Sequence, residues 1–320
     1  MDESINLGFN DKLADSRKDW LLAYDKDNVI EEKMETITVT DFINKDLIHF
    51  SYYDTQRSIP SLIDGLKITQ RKVLYTSFEH VKDNSVKQKV AQLGARVAEK
   101  TCYMHGEASV FGTIIKMAQT FMGSNNCNLL LPKGQFGSRI ASPIGSDHSS
   151  ERYIFTNVNE VTYKLFRKED NILLNYINFE NQLIEPEYYY PILPTILING
   201  ALGIGTGFST TIPMYNLEDI AYIITKKLEG KRTRRELIPY YRFFKGKVVY
   251  KDEQTYVAQG IYEWLDSKNQ LIIKELPPGM ATKKYISELY KMIYDKDGNA
   301  KIQCLIDVID LSTKNDILFK

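Results

Sequence analysis

The feature that most constrains this sequence is a local excess of positive charge that coincides with a helical pattern. Residues 57–105 contain nine lysines and arginines against four aspartates and glutamates. The whole chain of 320 residues has 41 residues of each sign and a net charge of zero. Apolar residues at helical spacing predict a helix over 86–99 with one packed face, formed by Val86, Val90, Leu93 and Val97. The opposite stripe is polar and mostly basic, with Lys89, Gln92, Arg96 and Lys100.

A second helix is predicted over 107–121, after a break at residues 103–106. Its outward stripe holds small polar groups and one lysine: Ser109, Thr113, Lys116 and Thr120. Two helices joined in this way resemble a helix-turn-helix, whose second helix enters the major groove of DNA. An ordinary antiparallel helix pair with a solvated face has the same pattern, so periodicity leaves both interpretations open. A strand over 128–131, followed by glycine- and proline-marked turns, is typical of the wing of a winged-helix domain.

On either side of this region the sequence predicts short helices and a separate α+β unit. Upstream, a helix with Ser16 as its N-cap and a second helix over 41–50 flank a charged connector. Downstream, the pattern predicts helices over 217–229 and 281–294 and strands over 247–250, 256–261, 270–275 and 301–308. The predicted fold class is therefore α+β.

Cysteine usage and hydropathy exclude several classes of protein. The three cysteines, Cys102, Cys127 and Cys304, are isolated and lack metal-ligand spacing, which fits a reduced intracellular protein. No apolar run approaches the roughly 20 residues that span a bilayer. The glycine-rich run at 200–207 lacks the Gly-Lys-Ser/Thr ending of a nucleotide-binding loop. The run at 295–299 lacks the later glutamate of a calcium loop, so a turn is predicted there.

A loop-forming run at 145–151 is followed by Arg152 and Tyr153, which lie at the start of an apolar β-type segment. A free tyrosine hydroxyl has a pKa of about 10, so only about one in a thousand is ionised near neutral pH. A catalytic tyrosine therefore needs a neighbouring cation or metal, and Arg152 is such a cation in the sequence. On this local chemistry alone, the ordinary interpretation is a surface arginine beside a surface tyrosine.

Several ordered motifs change that interpretation, because together they resemble one known family over nearly the whole chain. They are Arg57-Ser58-Ile59-Pro60, Asp64-Gly65-Leu66-Lys67, Gln70-Arg71-Lys72-Val73-Leu74, His105-Gly106-Glu107, Gly123-Ser124-Asn125-Asn126, Gly134-Gln135-Phe136-Gly137, Arg152-Tyr153-Ile154-Phe155-Thr156 and the run from Leu197 to Gly207. In these motifs the sequence resembles the DNA breakage-reunion core of eukaryotic-type type IIA DNA topoisomerases. The resemblance implies three parts: the end of a TOPRIM domain with a linker over 1–35, a winged-helix DNA-binding domain over 36–193, and a mixed α/β tower domain over 194–320.

The resemblance also implies roles for individual residues. Tyr153 would attack a DNA phosphodiester to give a transient 5′-phosphotyrosyl link, while Arg152 and His105 would stabilise the charge that develops at the phosphorus. Ile204 would insert between base pairs and bend the duplex. The predicted DNA-binding residues are Arg57, Lys67, Arg71, Lys72, Lys116 and Ile204. Met104 stands where the family commonly has the first of two histidines, and its side chain cannot donate to a phosphate.

For cofactors and partners, the resemblance implies an enzyme larger than this chain. The full-length enzyme would use Mg²⁺ and ATP, bind double-stranded DNA and act as a homodimer. We expect this chain to lack the TOPRIM metal set, the ATPase region and the coiled coil, to bind no cofactor, and to bind duplex DNA without cleaving it alone. Its location would be the nucleus in a cellular source, or the host cytoplasm for a large cytoplasmic DNA virus.

Two other function classes stay open from the residues alone. One is a non-catalytic winged-helix DNA-binding protein, in which Tyr153 would have no chemical role. The other is a nicking or recombinase-type tyrosine enzyme, which would change the linking number in steps of one rather than two.

Overall fold

The computed structural model describes residues 2–31, 33, 35–80, 87–252, 255–294 and 305–320, and its fold is α+β, as predicted. The α-helices are α1 (Asp2–Phe9), α2 (Ala14–Leu22), α3 (Val39–Phe42), α4 (Ile48–Ser58), α5 (Ile68–His80), α6 (Val90–Lys100), α7 (Glu107–Ala118), α8 (Glu160–Leu165), α9 (Thr195–Ile198), α10 (Leu217–Leu228) and α11 (Thr282–Ile293). The strands are β1 (Gln88–Lys89), β2 (Leu130–Lys133), β3 (Phe155–Val158), β4 (Tyr176–Phe179), β5 (Gln182–Pro186), β6 (Ala201–Ile204), β7 (Ser209–Ile212), β8 (Lys247–Asp252), β9 (Thr255–Gln259), β10 (Ile261–Leu265) and β11 (Gln270–Glu275). Across these described ranges, we find no helix with the length and apolarity needed to cross a membrane.

The start of α2 differs from the prediction. The helix begins at Ala14 after a 3-10 turn, so Ser16 lies inside it and is not its N-cap. The guanidinium of Arg17 explains the earlier start, because it donates to the carbonyls of Leu7 and Asn10 and ties the turn to the helix. A side chain from within the helix thus fixes its beginning, which a search for capping residues does not detect.

The helix predicted over 41–50 is longer at both ends. The hydroxyl of Thr38 accepts from the backbone N–H of Asp41 and caps α3. A π-helical turn at Ile43–Leu47 then joins α3 to α4, which continues to Ser58. Because α4 continues to Ser58, its last turn contains Arg57, which is a residue of the predicted site.

The central part of the chain packs three helices against a small sheet. Helices α5, α6 and α7 contact one another, and β1, β3 and β2 form an antiparallel sheet in that order. The ring of Phe111 lies where a side chain at Gly94 would stand, so α6 and α7 approach closely. Their shared core is fully buried at Val73, Leu74, Val90, Val97, Val110 and Ile114. The predicted helix-turn-helix and wing are therefore present, with α6 and α7 as the helix pair.

Some predicted boundaries in this part shift or lie outside the described residues. The helix predicted over 86–99 is seen from Val90, and its predicted first residue, Val86, is not among the described ones. The strand predicted over 128–131 starts two residues later, at Leu130. The side chain of Asn128 donates to the carbonyl of Leu130, while its own carbonyl accepts from Asn159. Because Asn128 makes these bonds, its backbone does not pair with β3, and the pairing of β2 with β3 starts at Leu130.

The downstream unit has a second, smaller core. Strands β8, β9 and β11 and helix α11 confirm the predicted strands and helix there, while β10, which pairs with β11, was not predicted. Leu276, Ile293, Val308, Ile317 and Phe319 form the core. The strand predicted over 301–308 is not confirmed: residues 301–304 lie outside the described part, and 305–308 are not in a strand. The chain instead folds back on itself, with mutual backbone hydrogen bonds between Ile309 and Lys320.

A buried ion pair joins the downstream unit to the loop that precedes Arg152 and Tyr153. The guanidinium of Arg139 lies 2.7 Å from a carboxylate oxygen of Glu275 and donates to the carbonyl of Leu276. Both members of the pair are almost fully buried. The backbone N–H groups of Thr282 and Lys283 also donate to carbonyls of this loop.

Candidate nucleic-acid interface

Tyr153 is presented to solvent by a turn that is fixed to the protein core. Its backbone N–H donates to the carbonyl of Ser150 at 2.9 Å, and its side chain is 76% exposed. The next residue, Ile154, is 1% exposed, and its carbonyl accepts from the N–H of Val90 at the start of α6. A buried residue therefore anchors the turn directly beside the exposed phenol.

Arg152 is exposed on the same turn. Within the described ranges, neither Arg152 nor Tyr153 has a side-chain hydrogen bond or an ion pair. No residue in the described part of the chain therefore engages the cation of Arg152 or the hydroxyl of Tyr153. An anionic ligand on this surface would meet both groups.

His105 lies in the connection between α6 and α7, close to the end of α4. Its Nε2 atom is 2.6 Å from the hydroxyl of Tyr53. Burial lowers the pKa of His105, and the positive charge of Arg57 lowers the pKa further. Tyr53 and Arg57 are both on α4 and are separated by four residues, so they share one face of that helix. The structure thus brings two predicted site residues, Arg57 and His105, together.

Lys67 and Lys116 form a pair of positive charges. Lys116 is exposed in the last turn of α7, and Lys67 is half-buried before α5. Burial lowers the pKa of Lys67, and the charge of Lys116 adds to this effect, because like charges oppose protonation. Two ammonium groups held near each other attract an anion more strongly than either does alone.

Arg71 and Lys72 were predicted to contact DNA, and the structure places both in the interior. Arg71 makes a bidentate ion pair with Asp64, in which Nε and Nη2 lie 2.7 and 2.9 Å from the two carboxylate oxygens, and Arg71 is 4% exposed. The ammonium of Lys72 lies 2.7 Å from Glu185 and donates to the carbonyl of Thr101. Since both charges are neutralised by buried partners, we assign these two residues a structural role and leave them out of the interface.

Ile204 stands at the end of strand β6 in the β6–β7 hairpin and is 75% exposed. Gly203 and Gly205, which flank Ile204, explain this exposure. A side chain at Gly203 would collide with the carbonyl of Ser58, and one at Gly205 would lie 2.9 Å from the Cα of Thr55. The glycine face of the hairpin thus packs on α4, which leaves the isoleucine facing outward.

Tyr53 is a neighbour of His105 and Arg57 that sequence reasoning missed. Its spacing of four from Arg57 on a predicted helical segment is the signal that could have found it. The site therefore consists of an exposed Arg-Tyr turn, a histidine held near Arg57, a lysine pair and an apolar residue on a hairpin. The paired helices and their sheet define the class of winged-helix folds.

Comparison with known proteins identifies the family. Residues 57–320 match the family model that describes the A subunit of DNA gyrase/topoisomerase IV, and residues 1–55 match the C-terminal associated domain of TOPRIM. The chain belongs to this DNA gyrase/topoisomerase IV family. It is 46% identical over 279 residues to DNA topoisomerase 2 of Arabidopsis thaliana, a match covering 86% of this chain and 18% of the relative. It is 45% identical over 318 residues to the mitochondrial DNA topoisomerase 2 of Dictyostelium discoideum, covering 99% of this chain and 24% of the relative.

A solved structure with the same fold is the DNA-binding, cleavage and re-ligation domain of Plasmodium falciparum topoisomerase II. The two chains superpose with a TM-score of 0.86 at 42% identity, over 99% of this chain and 42% of the solved one. The chain spans between 18% and 24% of the length of the curated relatives named above. The fold and the family resemblance predicted from the sequence are therefore confirmed, while the activity of a whole enzyme remains a proposal.

Proposed function

We propose that this chain is the DNA-binding and cleavage part of a type II DNA topoisomerase. The observation that carries the proposal is the exposure of Tyr153 and Arg152 on a turn anchored beside the helix pair. In the proposed step the phenolic oxygen of Tyr153 forms a bond to a phosphorus atom of DNA. The bond from that phosphorus to the 3′ oxygen breaks, and the tyrosine loses its proton while the 3′ oxygen gains one. Religation is the reverse, so the strand is resealed without a high-energy cofactor.

The basic groups would bind the phosphates around this centre. Arg152 and His105 would face the charge on the attacked phosphate, and Arg57, Lys67 and Lys116 would contact neighbouring ones. The side chains of Tyr153 and His105 do not contact each other in the described structure. They would therefore meet at the bound duplex, which would have to lie across both the turn and the α6–α7 connection.

Ile204 would act as a wedge between base pairs. Its exposure at the end of β6 supports this role, because an apolar side chain needs a rigid base to separate stacked bases. Unstacking costs a few kcal/mol, which the contacts of a bent duplex with the protein can offset.

The cofactors and partners proposed for the whole enzyme are Mg²⁺, ATP, double-stranded DNA and a second copy of the enzyme. Among the residues that the structure describes, no group of three or more histidines, cysteines, aspartates or glutamates could hold a metal ion. We therefore derive no step through Mg²⁺ from this chain. The division into parts at 1–35, 36–193 and 194–320 stays a prediction. For location we propose the nucleus in a cellular source, or the host cytoplasm for a large cytoplasmic DNA virus.

Substitution of the nucleophile tests the proposal. In the full-length enzyme, Tyr153→Phe should abolish the covalent protein–DNA adduct and the relaxation of supercoiled DNA, while binding to duplex DNA changes less than about twofold. Tyr262→Phe is the matched control, since Tyr262 is as exposed as Tyr153, at 73%, but lies on strand β10 in the downstream unit. An adduct that persists in Tyr153→Phe would remove Tyr153 from its role. Binding without any adduct in the unmodified enzyme would favour the non-catalytic alternative, and linking-number changes in steps of one would favour the nicking alternative.

A further inference from the structure

His105 is contacted by tyrosine rings from two directions. The ring of Tyr53 lies nearly parallel to the imidazole, with centroids 5.8 Å apart and an angle of 26° between the planes. The ring of Tyr103 meets it edge-on, at 5.4 Å and 70°. Tyr103 is itself fixed, because its hydroxyl donates to that of Ser109 at the start of α7. The imidazole is thus restrained by two rings and by one hydrogen bond to Nε2.

We propose that Tyr53 is a positioning residue, whose hydroxyl donates to Nε2 of His105 and so leaves Nδ1–H as the donor for a DNA phosphate. This inference rests on the proposed function, because the phosphate belongs to the strand that Tyr153 attacks. Tyr53 itself contacts neither the DNA nor the nucleophile in this scheme. It acts through the tautomer and the orientation of the imidazole.

We assign the donor role to the Tyr53 hydroxyl, because an imidazole nitrogen is a stronger base than a phenol oxygen. A neutral imidazole has one nitrogen that donates and one that accepts. When a phenol donates to Nε2, the single ring proton must be on Nδ1. In the other tautomer, Nδ1 is an acceptor and cannot bond to a phosphate oxygen. Loss of the Tyr53 hydroxyl would therefore allow a form of His105 that is inactive toward phosphate.

The surroundings of His105 favour its neutral form. Burial and the nearby guanidinium of Arg57 both lower its pKa. The same residues line a cavity of about 180 Å³, in which Lys72 and Glu185 are also found. Those two side chains are paired with each other at 2.7 Å. Glu185 is therefore not available to hold His105 in the charged form, and the tyrosine hydroxyl is the polar partner of its Nε2.

The first test is a rate of covalent adduct formation in the full-length enzyme. Tyr53→Phe keeps the ring stacked on the imidazole and removes the hydroxyl alone. We expect adduct formation at neutral pH to slow by about tenfold, the effect of one hydrogen bond to a reacting group, while duplex affinity changes less than about twofold. We also expect the pKa of His105 to rise in Tyr53→Phe, because the neutral imidazole has lost a hydrogen-bond donor to Nε2.

The chain offers a matched control for the loss of such a bond. Tyr24 and His49 form a second tyrosine–histidine pair, with a hydroxyl–Nδ1 distance of 3.0 Å, in the N-terminal region. Tyr24→Phe should leave adduct formation within about twofold of the unmodified enzyme. An equal loss in Tyr24→Phe and Tyr53→Phe would mean that the effect is general destabilisation, and it would overturn the proposal.

A double substitution shows whether Tyr53 acts through His105. If it does, Tyr53→Phe should have no further effect on adduct formation in a His105→Ala enzyme. A tenfold loss in both backgrounds would exclude the proposed route. If Tyr153→Phe abolishes the adduct while Tyr53→Phe changes nothing, the positioning role fails and the proposed function stands.

Nuclear magnetic resonance of the imidazoles gives a readout that does not depend on catalysis. The chain has four histidines, so nitrogen-15 labelling and single substitutions can assign the His105 signals. We expect the Nδ1–H tautomer in the unmodified chain and a shift toward Nε2–H in Tyr53→Phe. Finding Nε2–H in the unmodified chain would overturn the proposal even if the enzyme is a topoisomerase.

Discussion

At the scale of single residues, the structure separates basic side chains that are available to a ligand from those that are not. Lys116, Arg152 and Arg57 reach the surface, whereas Arg71 and Lys72 are paired with buried carboxylates. A sequence reports charge and not burial, so all five have the same weight in a count of basic residues. The motif around Arg71 and Lys72 is therefore a correct signal of the family, while the buried ion pairs of these two residues argue against the DNA contact predicted for them.

Arg71 should be required for stability. Its partner Asp64 is 0% exposed and also accepts from the backbone N–H groups of Leu66 and Tyr189. Arg71→Ala would leave a buried carboxylate without its counter-ion, and we expect it to lower the free energy of unfolding by about 3–5 kcal/mol. Urea unfolding measures this change.

Arg167→Ala serves as the comparison for Arg71→Ala. Arg167 pairs with Glu169 at the surface, where an ion pair contributes little. It should change the free energy of unfolding by less than about 0.5 kcal/mol. Equal costs for the two substitutions would contradict the structural role given to Arg71.

At the scale of elements, the helix pair and wing were predictable because one face of each helix is apolar and the other polar. Helix α5 was not predicted as a separate element, since it buries polar residues: Thr69, Arg71, Lys72, Thr76 and Ser77. Its sequence therefore lacks a clear apolar stripe. The strand predicted over 301–308 is absent at 305–308 for a different reason, because Leu305 and Val308 pack into the second core without pairing as a strand.

The β6–β7 hairpin gives a prediction at this scale. If Ile204 separates base pairs, Ile204→Ala should reduce the bend of a bound duplex while leaving most of the affinity, which comes from phosphates. Energy transfer between dyes on the two ends of the duplex measures the bend. Leu202→Ala is the control, because Leu202 is exposed on the same face of β6 but lies nearer the base of the hairpin. An unchanged bend in Ile204→Ala, or an equal loss in both variants, would contradict the wedge.

At the scale of the whole molecule, the zero net charge conceals the local excess of basic residues at 57–105. Binding to duplex DNA should fall steeply with salt, because each phosphate that a lysine or arginine neutralises releases counter-ions. Lys116→Ala should make the slope of log K against log salt shallower by about 0.9 for the loss of one contact. Fluorescence anisotropy over a salt series measures the slope.

Lys268→Ala tests whether that change is specific. Lys268 is exposed in the 3-10 turn between β10 and β11, away from the proposed contacts. It should leave the slope unchanged. Equal slopes for Lys116→Ala and the unmodified chain would remove Lys116 from the interface.

The arrangement of the whole molecule was the part least accessible to prediction. The zero net charge gave no sign of a nucleic-acid partner, whereas the local basic excess at 57–105 and the ordered motifs did. The contact of α4 with the hairpin and with His105 joins residues separated by 52 to 151 positions in the chain. Pairing over such distances has no periodic signal in a single sequence. The approach of Arg57 to His105 therefore emerged only from the folded chain.

The buried pair of Arg139 and Glu275 limits how this molecule can move. Separating the two would leave a charge in an apolar interior, so the loop before Tyr153 and the downstream unit should rotate together as one rigid body. Any hinge that opens the site must then lie elsewhere in the chain. A displacement of the downstream unit would therefore carry Tyr153 with it, and force applied at one end of the molecule would be transmitted to the proposed cleavage site.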